Sequence, residues 1–414
     1  MNNQLPQGYR AAGVHCGIKE DPDKRDLSLL VSEVPAVAVG VYTQNLVCAA
    51  PVKLCQQRTP SDTVRAVVIN SGVANACTGE QGHRDADQMS QLVAQFCRQH
   101  SQADTGNSDT GNSDTVDAQQ VLVLSTGVIG QLLPMDNIKS GIDAAVRQLN
   151  NQQSALLDAA RGMMTTDTRE KIVSRHFLAD DVPIRITGLA KGAAMIGPNL
   201  ATMLAVIMTD AALDVHAAQA GLIDAADESF NCISVEGHTS TNDTVLLLAN
   251  GAAGGQVLSG QSLAAFQATL VEVCEDLAQS IPADGEGASH LITVEVHGCR
   301  TRADAVKIAR TIADSPLVKT AIAGADPNWG RIVSAAGYAG VAFDEQNVSL
   351  HINRYLLYER GVPMTFDEKK VSTSIRNDRN TSLVLLLDEG TASARFWTTD
   401  LTTEYVRLNA EYRT

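Results

Sequence analysis

The chain has 414 residues, is 44% hydrophobic and carries a formal net charge of −15, which disfavours nucleic acids and anionic membranes as partners. No apolar run approaches the roughly 20 residues of a transmembrane helix, and no signal-peptide region opens the chain, so we expect a cytoplasmic protein. The eight cysteines and nine histidines are scattered without metal-ligand spacing, so we expect reduced cysteines and no metal site.

The first part of the chain predicts buried strands that end in turns of small polar residues. Apolar runs at 37–42 and 64–69 predict two strands. The second leads into 70–79, which is either an ordinary turn or the wall of a site. Residues 84–100 have helical spacing, whereas 101–117 repeats a five-residue polar unit that we interpret as an exposed, mobile insertion.

A further strand, 121–124, runs into the turn Ser125-Thr126-Gly127, and a helix follows Pro134. A strand, a glycine turn and a helix together present backbone N–H groups to an anion. An oxyanion requires two such donors about 2.7–3.1 Å away. From these residues alone, a plain strand-to-helix turn is the simpler explanation.

The remaining elements are organised around a loop that starts at Lys191 and ends at Thr202, where the apolar strand 203–208 begins. A threonine hydroxyl needs a base to become a nucleophile, and its own α-amine, with a pKa of about 7.7–8, is the simplest one. That amine exists only if the bond between Ala201 and Thr202 is cut. Thr202 can cut it by attacking the preceding carbonyl and hydrolysing the resulting ester. The alternative is that Thr202 only begins a strand.

The second half predicts alternating helices and strands. Asp214 caps a helix, 230–248 suggests a hairpin about 236–237, and 263–277 is amphipathic. Asp284-Gly-Glu286-Gly precedes the strand 291–296, where flanking glycines let a carboxylate project into a cleft. Each of three candidate site residues also has an ordinary structural explanation. Glu286 could lie in a surface turn, Thr165 could cap a helix, and Lys191 could be a solvent-exposed surface residue.

The segment from Lys191 to Leu204 resembles the signature of the ornithine acetyltransferase family, bifunctional arginine-biosynthesis proteins that self-cleave before a threonine. The likeness extends along nearly the whole chain, including 70–76, 284–287 and 326–331. The chain departs from the family pattern in the 101–117 insertion. It also has Glu236 and His238 where the family usually has aspartates, which further disfavours a metal in that loop.

The resemblance implies a role for each matching residue. Thr202 would be the nucleophile after cleavage between Ala201 and Thr202, and Thr126 and Gly127 would form the oxyanion hole. The substrate-binding residues would be Thr165, Lys191, Thr202, Glu286, Asn409 and Thr414. Contact between the C-terminus and the substrate would require the chain at 405–406 to dock, which we expect it to do as a strand.

The resemblance also implies an α+β fold of two packed β-sheets flanked by helices, an αββα-type, N-terminal-nucleophile-like sandwich with a smaller C-terminal α/β lobe. We place the core at 1–283 and the lobe at 284–414. The cleaved α and β chains would form a heterotetramer of two αβ pairs, with no nucleic acid or membrane partner.

The implied reaction moves an acetyl group from N-acetyl-L-ornithine to L-glutamate by a ping-pong mechanism, in arginine biosynthesis. No cofactor is expected to be bound, and acetyl-CoA as a second acetyl donor stays open because both kinds of family member share these motifs. The alternative is a self-cleaved aminopeptidase or amidase of the same architecture, which would release the acyl group to water.

Overall fold

The computed structural model describes residues 3–105, 116–197 and 203–411. Its helices are α1 Ala50–Arg58, α2 Gly79–Thr105, α3 Met135–Gln148, α4 Gln153–Met163, α5 Val215–Glu228, α6 Gly260–Ser280, α7 Arg302–Ala313, α8 Pro316–Ala323, α9 Trp329–Gly337, α10 Glu368–Asn377 and α11 Thr403–Glu411. Its strands are β1 Tyr9–Val14, β2 Leu27–Tyr42, β3 Ser61–Val73, β4 Val121–Val128, β5 Lys171–Ala179, β6 Val182–Lys191, β7 Leu204–Thr209, β8 Thr244–Ala249, β9 Leu291–Cys299, β10 Ser349–Ile352, β11 Tyr355–Glu359, β12 Val362–Pro363, β13 Asn380–Leu386 and β14 Ala392–Thr399.

The first sheet is mixed and has eight strands in the order β4-β3-β2-β8-β7-β6-β5, with β1 paired to β2 off this path. Strand β2 is long enough to pair with two strands along one edge, with β1 in its first half and β8 in its second half, while its other edge pairs with β3. Strands β7 and β8 are buried at every position. Their continuous apolar runs match strands that are covered on both faces.

The second sheet is also mixed and has six strands in the order β12-β11-β10-β13-β9-β14. Strand β9 alternates buried Val294 and Val296 with half-buried Glu295 and His297, so one face turns to the core. The change from one sheet to the other falls between β8 and β9, an interval that contains the predicted boundary at 283/284.

Helices flank both sheets, which confirms the expected α+β class. Helices α3 and α4 pack on β1 and β2, α6 packs on β5 and β6, and α7 packs on β9 and β14. The buried apolar residues of α6 include Phe266, Leu270 and Val273, which lie on the face predicted by their helical spacing. Within the described residues, no helix combines the length and apolarity needed to cross a membrane.

Two local predictions are wrong. No hairpin forms about 236–237, because the backbone N–H groups of Val235 and Gly237 donate to the carbonyl of Ile196 instead of to a facing strand. The C-terminal segment is the helix α11 rather than a strand. Its Arg407 pairs with Glu404 and Glu411, at the helical spacings of three and four residues.

Other predicted elements form with shifted ends. The side chain of Asp214 accepts hydrogen bonds from the N–H groups of His216 and Ala217, as expected of a helix cap. Helix α2 continues to Thr105, past the expected start of the insertion, while 106–115 lies outside the described residues.

Candidate active site

Six of the residues predicted to form the site line one cavity of about 110 Å³. They come from the end of β4, the loop after α4, the end of β6, the loop before β9 and helix α11. The six residues are Thr126, Gly127, Thr165, Lys191, Glu286 and Asn409. Residues 198–202, which include Ala201 and Thr202, and the terminal Thr414 lie outside the described residues.

The side chain of Lys191 reaches from β6 to the turn at the end of β4. Its Nζ donates to Thr126 Oγ1 at 3.3 Å, and both residues are buried, at 2% and 3% exposed. Gly127 adopts a φ of +131°, and a Cβ there would lie 2.2 Å from the carbonyl carbon of Gly72. Only glycine fits this turn without displacing the neighbouring strand.

The charge of Lys191 depends on acidic neighbours. Burial lowers the pKa of its ammonium group, because removing a charge from water is costly. The carboxylates of Asp167, Asp243 and Glu286 oppose this effect, whereas the ammonium of Lys171 adds to it. The neighbouring acidic groups therefore favour the protonated form of this buried amine, against the effect of burial.

Another part of the cavity lining is a carboxylate held by the C-terminal helix. Asn409 Nδ2 donates to Glu286 Oε2 at 3.0 Å, and the backbone N–H of Glu286 donates to the carbonyl of Ala193 at 2.9 Å. Thr402 Oγ1 donates to the carbonyl of Gly287 at 2.6 Å and fixes the start of α11. The C-terminal segment thus reaches the cavity, although as a helix.

Asp243, which the sequence analysis missed, holds the residue that follows Thr202. Its Oδ1 accepts from the backbone N–H of Met203 at 3.0 Å. Its Oδ2 is buried and has no hydrogen-bond partner among the described residues. Burial raises the pKa of this carboxyl well above its ordinary value, with the N–H of Met203 and the charge of Lys191 opposing the shift. The signal that could have found it is an acidic residue directly before the apolar strand β8.

Asn242 joins the small polar turns that form the wall of the cavity. Its Nδ2 donates to the carbonyls of Ala74 at 2.7 Å and Ser125 at 2.9 Å. The hydroxyl of Ser125 donates to Asn70 Oδ1 at 2.6 Å. Ala74 lines the cavity, so part of the segment 70–79 forms a site wall in addition to a turn.

A larger cleft of about 970 Å³ lies beside the cavity and shares four lining residues with it, Gly127, Thr165, Thr166 and Glu286. Its outer part carries both signs of charge, with Lys19 and Arg379 among the cationic residues. Across the described ranges, no group of three or more His, Cys, Asp or Glu residues could hold a metal ion.

The segment 326–331, which matched the family pattern in the sequence, is not part of the cavity lining. Asn328 caps α9 by accepting from the N–H of Arg331 at 3.2 Å, and it donates to Asp326 at 3.0 Å. Arg331 donates to the carbonyl of Leu317 at 2.9 Å. These contacts stabilise the junction of α8 and α9.

The cavity can bind a small zwitterion. Lys191 offers a cation for a carboxylate, Glu286 offers a carboxylate for an ammonium group, and Thr126 and Thr165 offer hydroxyls. Small-molecule sites of this kind use a few convergent polar groups to fix the orientation of the ligand.

Comparison with known proteins shows which family the chain resembles. The model of the ArgJ family matches residues 10–414. The Arginine biosynthesis bifunctional protein ArgJ of Rhodopirellula baltica is 44% identical over 99% of this chain and 96% of its own length. The protein of the same description from Bacillus subtilis is 39% identical over 99% of this chain and 96% of its own length. A solved structure of ornithine acetyltransferase complexed with ornithine, from Mycobacterium tuberculosis, is 38% identical, covers 48% of this chain and 95% of that chain, and has a TM-score of 0.42.

Proposed function

Because this chain belongs to the ArgJ family, we propose that it moves the acetyl group of N-acetyl-L-ornithine to L-glutamate through an acetyl ester on Thr202, within arginine biosynthesis. The observation that supports this most strongly is the meeting of six residues from five separate segments of the sequence around one cavity. Its buried ammonium and its carboxylate match the opposite charges of an amino acid.

The proposed enzyme first cuts its own chain. Thr202 Oγ attacks the carbonyl of Ala201 and displaces the Thr202 nitrogen, which gives an ester and a free α-amine. Water then hydrolyses the ester to leave the Ala201 carboxylate and a Thr202 hydroxyl. The hydrogen bond from Met203 to Asp243 fixes the chain directly after the bond that breaks.

Acetyl transfer then follows two steps. The Thr202 hydroxyl attacks the acetyl carbonyl of N-acetylornithine, and the α-amine takes the hydroxyl proton and passes it to the departing ornithine amine. The amine of glutamate next attacks the ester, releases N-acetylglutamate and restores the hydroxyl. Donors from Thr126 and Gly127 would stabilise the oxyanion in each tetrahedral intermediate.

Lys191 and Glu286 would orient both amino acids in turn. The ammonium of Lys191 suits the carboxylate that ornithine and glutamate share, and Glu286 suits an ammonium group. The flanking residues Thr165 and Asn409 line the same cavity. We extend substrate contact to Thr414, which follows α11 in the chain.

The two chains produced by cleavage, 1–201 and 202–414, would remain associated. Strands β6 and β7 lie on either side of the cut and pair from Ile186 with Thr209 to Lys191 with Leu204. We propose a heterotetramer of two such αβ pairs, which native mass spectrometry would test.

An assay with purified protein tests the reaction. N-acetylornithine and glutamate should yield ornithine and N-acetylglutamate in equal amounts, whereas release of acetate without N-acetylglutamate would favour an amidase. We further propose that acetyl-CoA serves as a co-substrate without being a bound cofactor. Replacing N-acetylornithine by acetyl-CoA in the same assay tests that second donor.

A further inference from the structure

Three charged residues outside the predicted site form a buried cluster beside the cavity. Lys171 Nζ donates to Asp167 Oδ1 and to Asp284 Oδ2, each at 2.7 Å. The three side chains are 1%, 0% and 4% exposed, respectively. Buried ion pairs are costly to desolvate, and well-packed apolar residues often stabilise a core as well or better. Stability alone is therefore a weak explanation for this cluster.

The first carboxylate of the cluster holds two walls of the cavity. Asp167 Oδ2 accepts from the backbone N–H of Thr165 at 3.0 Å. Asp167 Oδ1 accepts from the N–H of Gly192, directly after Lys191, at 2.7 Å. One side chain thus fixes the backbone at Thr165 and beside Lys191.

The second carboxylate, Asp284, holds the backbone that follows Asp167. Asp284 Oδ2 accepts from the backbone N–H of Thr168 at 3.0 Å, and Asp284 Oδ1 accepts from the hydroxyl of the same residue. Asp284 lies two residues before Glu286. Because Lys171 bridges the two aspartates, the loop that carries Glu286 is tied to the loop that carries Thr165.

Asp167 also acts on the charge of Lys191. The titratable groups that influence Lys191 are two cations and three carboxyl groups, Lys19, Lys171, Asp167, Asp243 and Glu286. Of the three carboxylates, Asp167 is the strongest influence that favours the protonated amine. Burial would raise the pKa of Asp167, but the charges of Lys171 and Lys191 and the hydrogen bonds it accepts outweigh burial and keep its pKa below the ordinary value. Asp167 therefore stays ionised beside Lys191.

We propose that Asp167, Lys171 and Asp284 are positioning residues, which hold Thr165, Lys191 and Glu286 in the geometry that binds substrate. Of the three, Asp167 also favours the protonated form of Lys191. This role rests on the proposed function for the identity of the substrate. The charge relation between Asp167 and Lys191 is independent of that identity.

The test compares Asp167→Asn and Asp284→Asn with a matched control, Asp210→Asn. Asp210 is also buried and accepts from two backbone N–H groups, of Gln7 at 2.9 Å and Arg185 at 2.8 Å. It directly follows the last residue of β7, whereas Met203 directly precedes the first residue of that strand. Each variant is checked for cleavage and melting temperature before its kinetics are measured.

Asp167→Asn should lower kcat/KM for N-acetylornithine by up to about 100-fold, because small displacements of substrate-orienting groups are costly. It should also move the alkaline limb of the pH profile to lower pH, because Lys191 loses its proton sooner. Asp284→Asn should raise KM by a larger factor than it lowers kcat. It should move the alkaline limb of the pH profile less than Asp167→Asn does. Asp210→Asn should keep the wild-type kinetics and profile.

A second measurement separates this proposal from the proposed function. Titration of labelled lysine side chains by nuclear magnetic resonance, with Lys191 assigned from Lys191→Met, should show a lower pKa for Lys191 in Asp167→Asn. If the wild-type protein fails to transfer acetyl groups but Asp167→Asn still lowers the pKa of Lys191, the proposed substrate is wrong and the charge relation stands. An unchanged titration, or an equal kinetic loss in Asp210→Asn, would overturn the positioning role.

Discussion

The side chains of Asn409 and Glu286 meet at 3.0 Å, although 123 residues separate them in the sequence. The contact joins the C-terminal helix α11 to the loop before β9. Gly287 makes this approach possible, because a Cβ there would lie 2.4 Å from the backbone nitrogen of Tyr405. The C-terminal helix therefore orients a carboxylate that lines the same cavity as Lys191.

Glu286→Gln should weaken substrate binding without preventing self-cleavage. A hydrogen bond to a charged group contributes about 1.5–3 kcal/mol, so KM for N-acetylornithine should rise roughly 10- to 100-fold. Steady-state kinetics measure this. Glu295→Gln is the matched control, because Glu295 of β9 is partly buried and ion-paired with Arg395 of β14, outside the cavity lining. An equal change in KM for both variants would contradict the assignment of Glu286.

Gly127→Ala should abolish acetyl transfer, because its Cβ would collide with the backbone of Gly72 and displace the proposed oxyanion turn. Gly130→Ala provides the control. Gly130 also has a positive φ, of +83°, but a Cβ there meets no atom within 4 Å. That variant should lose about 1 kcal/mol of stability from backbone strain and keep its activity. Activity assays with melting curves would contradict the account if both variants behaved alike.

Glu236 should make stability depend on pH. Burial raises the pKa of its carboxyl from 4.5 to about 7, with the backbone of Ile196 and Met195 opposing the shift. Between these values the folded chain retains a proton that the unfolded chain loses, so this contribution to the free energy of unfolding falls as pH rises. The loss is at most roughly 3 kcal/mol and is complete above about pH 7.

Glu236→Gln removes this dependence. The melting temperature of the variant minus that of wild type should therefore be larger at pH 8 than at pH 5. Glu80→Gln changes a carboxylate that is 94% exposed and should show no such difference. Equal effects of Glu236→Gln at both pH values would show that the buried carboxyl does not titrate in this range.

Much of the site could be predicted because its motifs sit at the ends of strongly apolar strands. Thr126 and Lys191 follow such runs, and a family resemblance supplied the roles that spacing alone left open. Their contact at 3.3 Å was not predictable, because it depends on how β4 and β6 approach in three dimensions. The same holds for Asp167 and Asp284, which meet only through Lys171.

The failed predictions involve segments whose partners are remote in the sequence. The polar stretch about Glu236 resembles a hairpin, but its backbone donors bind the carbonyl of Ile196. The C-terminal stretch has β-branched and aromatic residues, but helical ion pairs of Arg407 and an anchor at Thr402 stabilise α11 instead. Local propensity was overridden by tertiary contacts in the first case and by side-chain pairing in the second.

Thr202→Ala should leave a single, inactive chain, because alanine has no hydroxyl to attack the carbonyl of Ala201. Denaturing gel electrophoresis and the transfer assay measure the two properties. Thr209→Ala is a control that removes a buried hydroxyl from the far end of β7. It should still cleave and turn over substrate. Normal turnover by Thr202→Ala would refute the nucleophile.

The most direct test of the central claim is the intact mass of the denatured protein with and without N-acetylornithine. We predict two chains, split between Ala201 and Thr202, with one acetyl group on the C-terminal chain only after the substrate is added. A single uncut chain after long incubation would contradict the account, and so would an acetyl group on the N-terminal chain.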